Sequence, residues 1–178
     1  MRTLVLGGIR SGKSRWAEAA IAESLQADQP VQYLATGQVV DTDGTWRQRL
    51  AEHRERRPPH WSTVETDEIA TELRRSPDMP TLVDDIGGWL TAIMDRRNAW
   101  EGGSVSSDVD ELVAAVAEFG SPLVLVSPEV GLSVVPPTAS GRRFADELGV
   151  LNQRLALLCD RVVLVVAGHP LLIKLPRT

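Results

Sequence analysis

The sequence predicts an α/β fold on a mostly parallel sheet, and three observations predict it. Five short apolar, β-branched runs recur at residues 3–6, 31–35, 81–83, 123–126 and 162–166, none with strict alternation. That pattern suits strands buried on both faces of a parallel sheet. Helical patterns at 14–24, 45–56, 67–75, 89–100, 107–119 and 139–158 lie between most of them. Such alternation is the mark of strand–helix–strand units with right-handed crossovers. The third observation is the octet Gly7-Gly8-Ile9-Arg10-Ser11-Gly12-Lys13-Ser14, which fits G-x-x-x-x-G-K-[ST] between the first strand and the first helix.

Taken in order, the run at 3–6 delivers the chain to the octet, where glycines let backbone N–H groups turn inward around phosphate. Lys13 neutralises β/γ-phosphate charge in such a loop, and the Ser14 hydroxyl holds Mg²⁺. Lysine is rare here: Lys174 is the only other one. The second strand, 31–35, precedes an arginine-rich helix at 45–56. The third ends in the paired acids Asp84-Asp85. A loop over 101–107 parts two helices. Another over 136–141 follows a strand carboxyl end, where open α/β sheets bind ligands. Residues 171–175 read as a short antiparallel edge strand after the tight Gly168-His169-Pro170 turn. Headed by its phosphate loop, this order reads as the three-layer, RecA-like fold of phosphate-loop NTPases. Residues 1–178 are expected to form a single nucleotide-binding catalytic domain.

Composition narrows the function. With 178 residues, 43% of them hydrophobic, the chain can bury a proper core. A net charge of −5 argues against a nucleic-acid-tracking surface. No apolar run reaches membrane-spanning length and the N-terminus enters a strand at once, so a cytoplasmic protein is expected. The lone Cys159 sits at an apolar helix end and reads as a packed thiol. Three dispersed histidines with one cysteine make no metal cluster.

Two constellations carry chemistry. A phosphate-loop enzyme needs a carboxylate at the end of a second buried strand, near the Mg²⁺. Adjacent acids at a strand end point to opposite faces, so one of Asp84 and Asp85 reaches the loop, and Asp84 is favoured. The bland alternative is a pair of helix-capping acids. The second constellation is His53 among Arg47, Arg49, Arg54, Arg56 and Arg57. At helical spacing Arg49, Arg56 and Arg57 share its face. Surrounding cations disfavour imidazolium, leaving a nitrogen lone pair beside groups able to grip a triphosphate. Neutral imidazole next to clamped phosphate is what nucleophilic catalysis on phosphorus requires. A solvated basic helix face, balanced by Glu52 and Glu55, reads equally well from the residues alone. His60 and His169 both read as turn residues.

Beyond the loop, the chain shows Tyr33-Leu34-Ala35-Thr36, Arg49-x-x-x-His53-x-x-x-Arg57-Pro58, and His60-Trp61 with Glu65. It also shows Leu82-Val83-Asp84, Glu129-Val130-Gly131 with Val135-Pro136, and an Arg142-x-Phe144-x-Asp146-x-x-Gly149-x-x-Asn152-Gln153-Arg154 stretch. In these it resembles, nearly end to end, the bifunctional adenosylcobinamide kinase/adenosylcobinamide-phosphate guanylyltransferase family of cobalamin biosynthesis. The resemblance implies a Mg²⁺-dependent kinase that phosphorylates adenosylcobinamide with ATP or GTP. It then implies GMP transfer from GTP to adenosylcobinamide phosphate through a guanylyl-histidine, giving adenosylcobinamide-GDP and pyrophosphate. His53 would be the nucleophile, with Lys13 its catalytic companion in the loop. Nucleotide contacts would come from Gly7, Gly8, Ile9, Arg10, Ser11, Gly12, Lys13, Ser14, Ala35, Thr36, Gly37, Arg54, Glu55, Arg56, Arg57, Glu65 and Asp84, with Ser14 and Asp84 toward the metal. The resemblance also implies a homo-oligomer, a trimer being described for the family.

The chain departs from the family pattern in three places. Pro128 stands where Asn precedes Glu-Val-Gly, Asp85-Ile86-Gly87-Gly88 replaces a Cys-containing, Thr-bearing segment, and the stretch at 41–45 is slightly longer. Two other readings stand beside this one: a phosphate-loop small-molecule kinase with one activity, and a nucleotide-dependent switch. A switch would want a guanine-reading Asn-Lys-x-Asp, which this chain lacks.

Overall fold

The computed structural model describes residues 1–36, 57–132 and 134–175. Among the described residues seven strands form one sheet: β1 (Arg2–Gly7), β2 (Gln32–Ala35), β3 (Ser62–Glu65), β4 (Thr81–Asp84), β5 (Leu123–Pro128), β6 (Arg161–Val166) and β7 (His169–Lys174). Their spatial order is β3-β2-β4-β5-β1-β6-β7. Every pairing is parallel except β6 with β7, which is antiparallel. The helices among the described residues are α1 (Lys13–Glu23), α2 (Ile69–Arg75), α3 (Ile86–Arg96), α4 (Ser106–Glu118) and α5 (Ala139–Leu158). The helix expected at 45–56 lies outside the described residues.

Why the strand runs lack polar alternation is visible in how they are covered. Leu4, Leu34, Val83, Leu125 and Val162 face one core, packed against Ile93 of α3, Leu112 of α4 and Leu151 of α5. Their neighbours Val5, Tyr33, Leu82, Val124 and Val163 face the other, against Ala17 and Ile21 of α1. Period-2 side chains meet a helical layer on each side, so both faces must be apolar. The result is a three-layer α/β arrangement with the strand carboxyl ends gathered along one rim.

Strand β3 is absent from the sequence expectation. Ser62, Thr63 and Glu65 are exposed at the sheet edge, so selection for apolar runs has no purchase there. Helix α3 starts at Ile86, three residues earlier than its pattern suggests, because the Asp85 side chain caps it by accepting from the Gly88 N–H at 2.7 Å. The last hairpin turns at Ala167-Gly168, both with positive φ (49° and 81°), as tight antiparallel turns require. His169 and Pro170 therefore join β7, where an edge position tolerates proline.

Lys174 ends β7 by donating from Nζ to the carbonyls of Ala156, Leu157 and Cys159 at 2.8, 3.3 and 2.6 Å. A cation thus satisfies the open carboxyl end of α5, a contact worth about 0.3–1 kcal/mol. Cys159 is buried, and that burial pushes its thiol up to about 12, which suits packing and not chemistry. Among the described residues no helix is long and apolar enough to cross a membrane.

Candidate active site

The glycine loop is built by close approach. Gly7 closes β1, and its carbonyl accepts from the Glu129 N–H at 3.1 Å, tying the loop mouth to β5. A Cβ on Gly7 would stand 2.4 Å from Ser11 Oγ and 2.8 Å from the Val165 carbonyl, so only glycine fits. The loop then reverses, with the Ser11 N–H on the Gly8 carbonyl at 3.3 Å. Gly12 sits at φ 91°, a left-handed conformation that glycine adopts without penalty, and passes against Gly168 of the last hairpin. The Gly168 N–H braces the Ser11 carbonyl at 2.7 Å. Arg10 takes φ 57° at the turn, and Ile9 projects from the tip, 94% exposed.

Helix α1 starts at Lys13, whose N–H donates to Ser11 Oγ at 3.3 Å, so the amino end of the helix and its positive dipole face the loop. The Lys13 ammonium lies over the loop, 3.4 Å from the Gly8 carbonyl. One residue on, Ser14 Oγ donates to Asp84 Oδ1 at 3.2 Å. Asp84 ends β4, two strands from β1 across β5, so sheet order alone brings a carboxylate to the loop serine.

The two adjacent acids part company. Asp84 turns to Ser14 and also accepts the Tyr33 hydroxyl on Oδ2. Asp85 turns to its own helix as the cap of α3. Burial, and after it the charge of Asp84, raises the Asp85 carboxyl above the usual aspartate range. Burial, and after it the Asp84 charge, likewise raises the Tyr33 phenol, which keeps its proton to donate.

A second row of residues flanks this pair. Ala35 of β2 lies opposite Asp84 on one side and Glu65 of β3 on the other. The Thr36 N–H donates to the Asp84 carbonyl at 3.0 Å and its hydroxyl to the Asp85 carbonyl. Arg57 stacks its guanidinium 3.4 Å over the centroid of the Tyr33 ring and donates to Thr63 Oγ1 at 2.9 Å. The structure therefore gathers Gly7 to Ser14, Ala35, Thr36, Glu65 and Asp84 along one rim, with Arg57 packed against Tyr33 and Thr63 of the strands that lead to it. Gly37, His53, Arg54, Glu55 and Arg56 lie outside the described residues.

The departures at Pro128 and Gly87 turn out to be neighbours. A Cβ on Gly87 would meet Pro128 Cγ at 2.7 Å, so the proline ring occupies the space a side chain would need. Asn152 of α5, buried, holds that strand end by donating to the Pro128 carbonyl at 3.1 Å and accepting from Ser127 Oγ at 2.6 Å. Arg142 gathers the carbonyls of Pro136 and Pro137 at the start of α5, and Arg154 pairs with Asp110 of α4 at 2.7 Å. His60 lies 3.8 Å from Asp28, away from the loop.

Tyr33 and Asn152 stand in the motifs that carry the family resemblance but not among the site residues expected from it. A signal for the first existed: it is the chain's single tyrosine, set in a buried strand, where its hydroxyl must find a partner. Asn152 stands in a motif that carries the family resemblance, but its contacts are not local: its partners sit 24 and 25 positions away.

A carboxylate placed across from a glycine-loop serine at the head of a parallel sheet defines the phosphate-loop class of nucleotide-handling α/β proteins. The sequence pattern of the cobinamide kinase / cobinamide phosphate guanyltransferase family matches residues 3–173. The bifunctional adenosylcobalamin biosynthesis protein CobP of Pseudomonas aeruginosa is 42% identical over 179 residues, covering 98% of each chain. The bifunctional adenosylcobalamin biosynthesis proteins CobU of Escherichia coli and Salmonella typhimurium are 35% and 36% identical, covering 98% of this chain and all of theirs. The chain belongs to the cobinamide kinase / cobinamide phosphate guanyltransferase family.

Proposed function

We propose that this chain performs both family reactions on adenosylcobinamide: phosphorylation of its hydroxyl by ATP or GTP, then GMP transfer from GTP to the phosphate so formed. The observation that carries the reading is the contact of Ser14 with Asp84 beside Lys13 and the amino end of α1. A hydroxyl and a carboxylate are the hard oxygen donors that Mg²⁺ selects, so Ser14 and Asp84 are the residues fitted to hold it. Bound there, Mg²⁺ would offset charge on the nucleotide phosphates. Lys13 and the loop N–H groups grip the same phosphates and stabilise charge as it moves to the leaving oxygen.

For the second reaction we assign the nucleophile to His53. A neutral imidazole nitrogen attacks the α-phosphorus of GTP, the bond to the bridging oxygen breaks, and pyrophosphate leaves. A phosphate oxygen of adenosylcobinamide phosphate then attacks the guanylyl phosphorus, freeing the imidazole and forming adenosylcobinamide-GDP. Arg54, Arg56 and Arg57 offset the charge that develops, and Ala35, Thr36, Gly37, Glu55 and Glu65 complete the nucleotide contacts. Membership of the same family supports a homo-oligomer, with a trimer as the assembly, and a cytoplasmic setting. The exposed apolar residues Leu171, Leu172 and Ile173 on edge strand β7 give such an assembly a surface.

The test is product mass after adenosylcobinamide is incubated with ATP, GTP and Mg²⁺. The phosphate ester should appear first and the GDP adduct second, with pyrophosphate released one for one. Ester without adduct would reduce the chain to a kinase, and neither product would overturn the reading.

A further inference from the structure

We infer that Tyr33 is a positioning residue shared by the two reactions: its hydroxyl sets Asp84 against Ser14, and its ring sets Arg57 beside the nucleotide. The inference rests on the two-reaction reading above. Tyr33 is 2% exposed within the α1-side core, where phenylalanine would fill the same volume at no polar cost. Its hydroxyl is therefore there for a partner, and that partner is Asp84 Oδ2, at the end of the neighbouring strand. With Ser14 on Oδ1, the carboxylate is held at both oxygens and cannot swing. A fixed carboxylate is pre-organised for a cation, because its orientation is settled before the ion arrives.

The ring does a separate job. Arg57 follows directly on the stretch that carries His53, and its guanidinium lies flat over the Tyr33 face at 3.4 Å. Its Nη1 reaches Thr63 of β3, while its Nε is buried with no hydrogen-bond partner among the described residues. The aromatic face, then, supplies much of what fixes this arginine. One side chain in β2 thus joins the acid of the phosphate loop to Arg57, the last arginine of the His53 motif.

Hydroxyl and ring separate experimentally. Tyr33→Phe removes only the first role, and Tyr33→Leu removes both. Arg57→Met removes the second from the other side while leaving the core intact. Two readouts apply: calorimetric affinity for the β,γ-imido analogue of GTP across a Mg²⁺ series, and the rate of GMP adduct formation by intact mass at saturating Mg²⁺. Loss of one charged hydrogen bond should make Tyr33→Phe need about tenfold more Mg²⁺ for half-maximal analogue affinity. Its adduct rate at saturating Mg²⁺ should stay within about twofold of wild type, since the ring remains. Tyr33→Leu and Arg57→Met should both form adduct about tenfold more slowly at saturating Mg²⁺, and Arg57→Met should keep the wild-type Mg²⁺ requirement.

A Tyr33→Phe protein with an unchanged Mg²⁺ requirement would overturn the hydroxyl role. Equal adduct rates in Tyr33→Phe and Tyr33→Leu, or a wild-type rate in Arg57→Met, would overturn the ring role. Should Tyr33→Leu fail to fold, the other two variants decide both points. Absence of adduct in the wild type would instead defeat the two-reaction reading, and the Mg²⁺ series would still decide the hydroxyl role.

Discussion

Replacing Lys13 by alanine is expected to weaken triphosphate binding about a hundredfold or more while leaving the fold intact. The ammonium lies over the loop with the Gly8 carbonyl as its hydrogen-bond partner at 3.4 Å, outside both apolar cores. Its removal therefore opens no cavity, and the melting temperature should move by no more than about 2 °C. What goes is a charged donor to two phosphates, each such bond being worth about 1.5–3 kcal/mol. The surviving loop N–H groups and the end of α1 hold a triphosphate only weakly on their own. Calorimetry with GTP decides it, and an unchanged affinity would remove the phosphate loop from the account.

The second large effect separates two adjacent acids. Asp84→Asn should lower Mg²⁺-dependent phosphorylation of adenosylcobinamide about a hundredfold or more. The carboxylate accepts two hydroxyl donors, from Ser14 and Tyr33. An amide offers one oxygen and one NH₂, so one of the two hydroxyls would have to turn from donor to acceptor, and the negative charge for the metal would be gone. Asp85→Asn should stay within about threefold of wild type. Asparagine caps helices as well as aspartate does, and its carbonyl oxygen still accepts from the Gly88 N–H. Burial and the neighbouring Asp84 charge already disfavour the ionised form of Asp85, so a neutral side chain suits that place. Steady-state rates across a Mg²⁺ series measure both, and an inactive Asp85→Asn beside a tolerant Asp84→Asn would reverse the assignment.

Sequence legibility followed burial. Strands such as Leu4-Val5 and Val124-Leu125 announced themselves because both faces are covered, which forces continuous apolar runs. Strand β3 stayed hidden because Ser62, Thr63 and Glu65 face outward at the edge. Glycines at 87 and 88 pushed the expected start of α3 to Trp89, since glycine disfavours helix locally. The Asp85 cap, which the alternative reading of the paired acids as helix caps had offered, and the Pro128 ring over Gly87 decide the matter instead, and only the second is too remote in sequence to read. The phosphate loop was legible as a contiguous motif. Its carboxylate was narrowed to two positions by strand-end logic with Asp84 favoured, and in the structure Asp84 contacts Ser14 while Asp85 caps α3. The Tyr33–Asp84–Ser14 chain joins β2, β4 and α1, so it depends on strand order that local pattern does not carry. Half of the expected chemistry, on His53, Arg54 and Arg56, lies outside the described residues and rests on family membership and on the arginine–histidine pattern.

Guanylyl transfer through His53 is open to one direct measurement. The protein is incubated with GTP and Mg²⁺, digested, and its peptides are searched by mass for a covalent GMP. The account predicts a single adduct on His53, labile to acid and comparatively stable to base, as a phosphoramidate must be. His53→Ala should abolish it, while His60→Ala and His169→Ala should keep it, His60 lying beside Asp28 and His169 in the exposed edge strand β7. A GMP adduct that survives replacement of His53, or one that resists acid and yields to base, would contradict it and place the nucleophile on another residue.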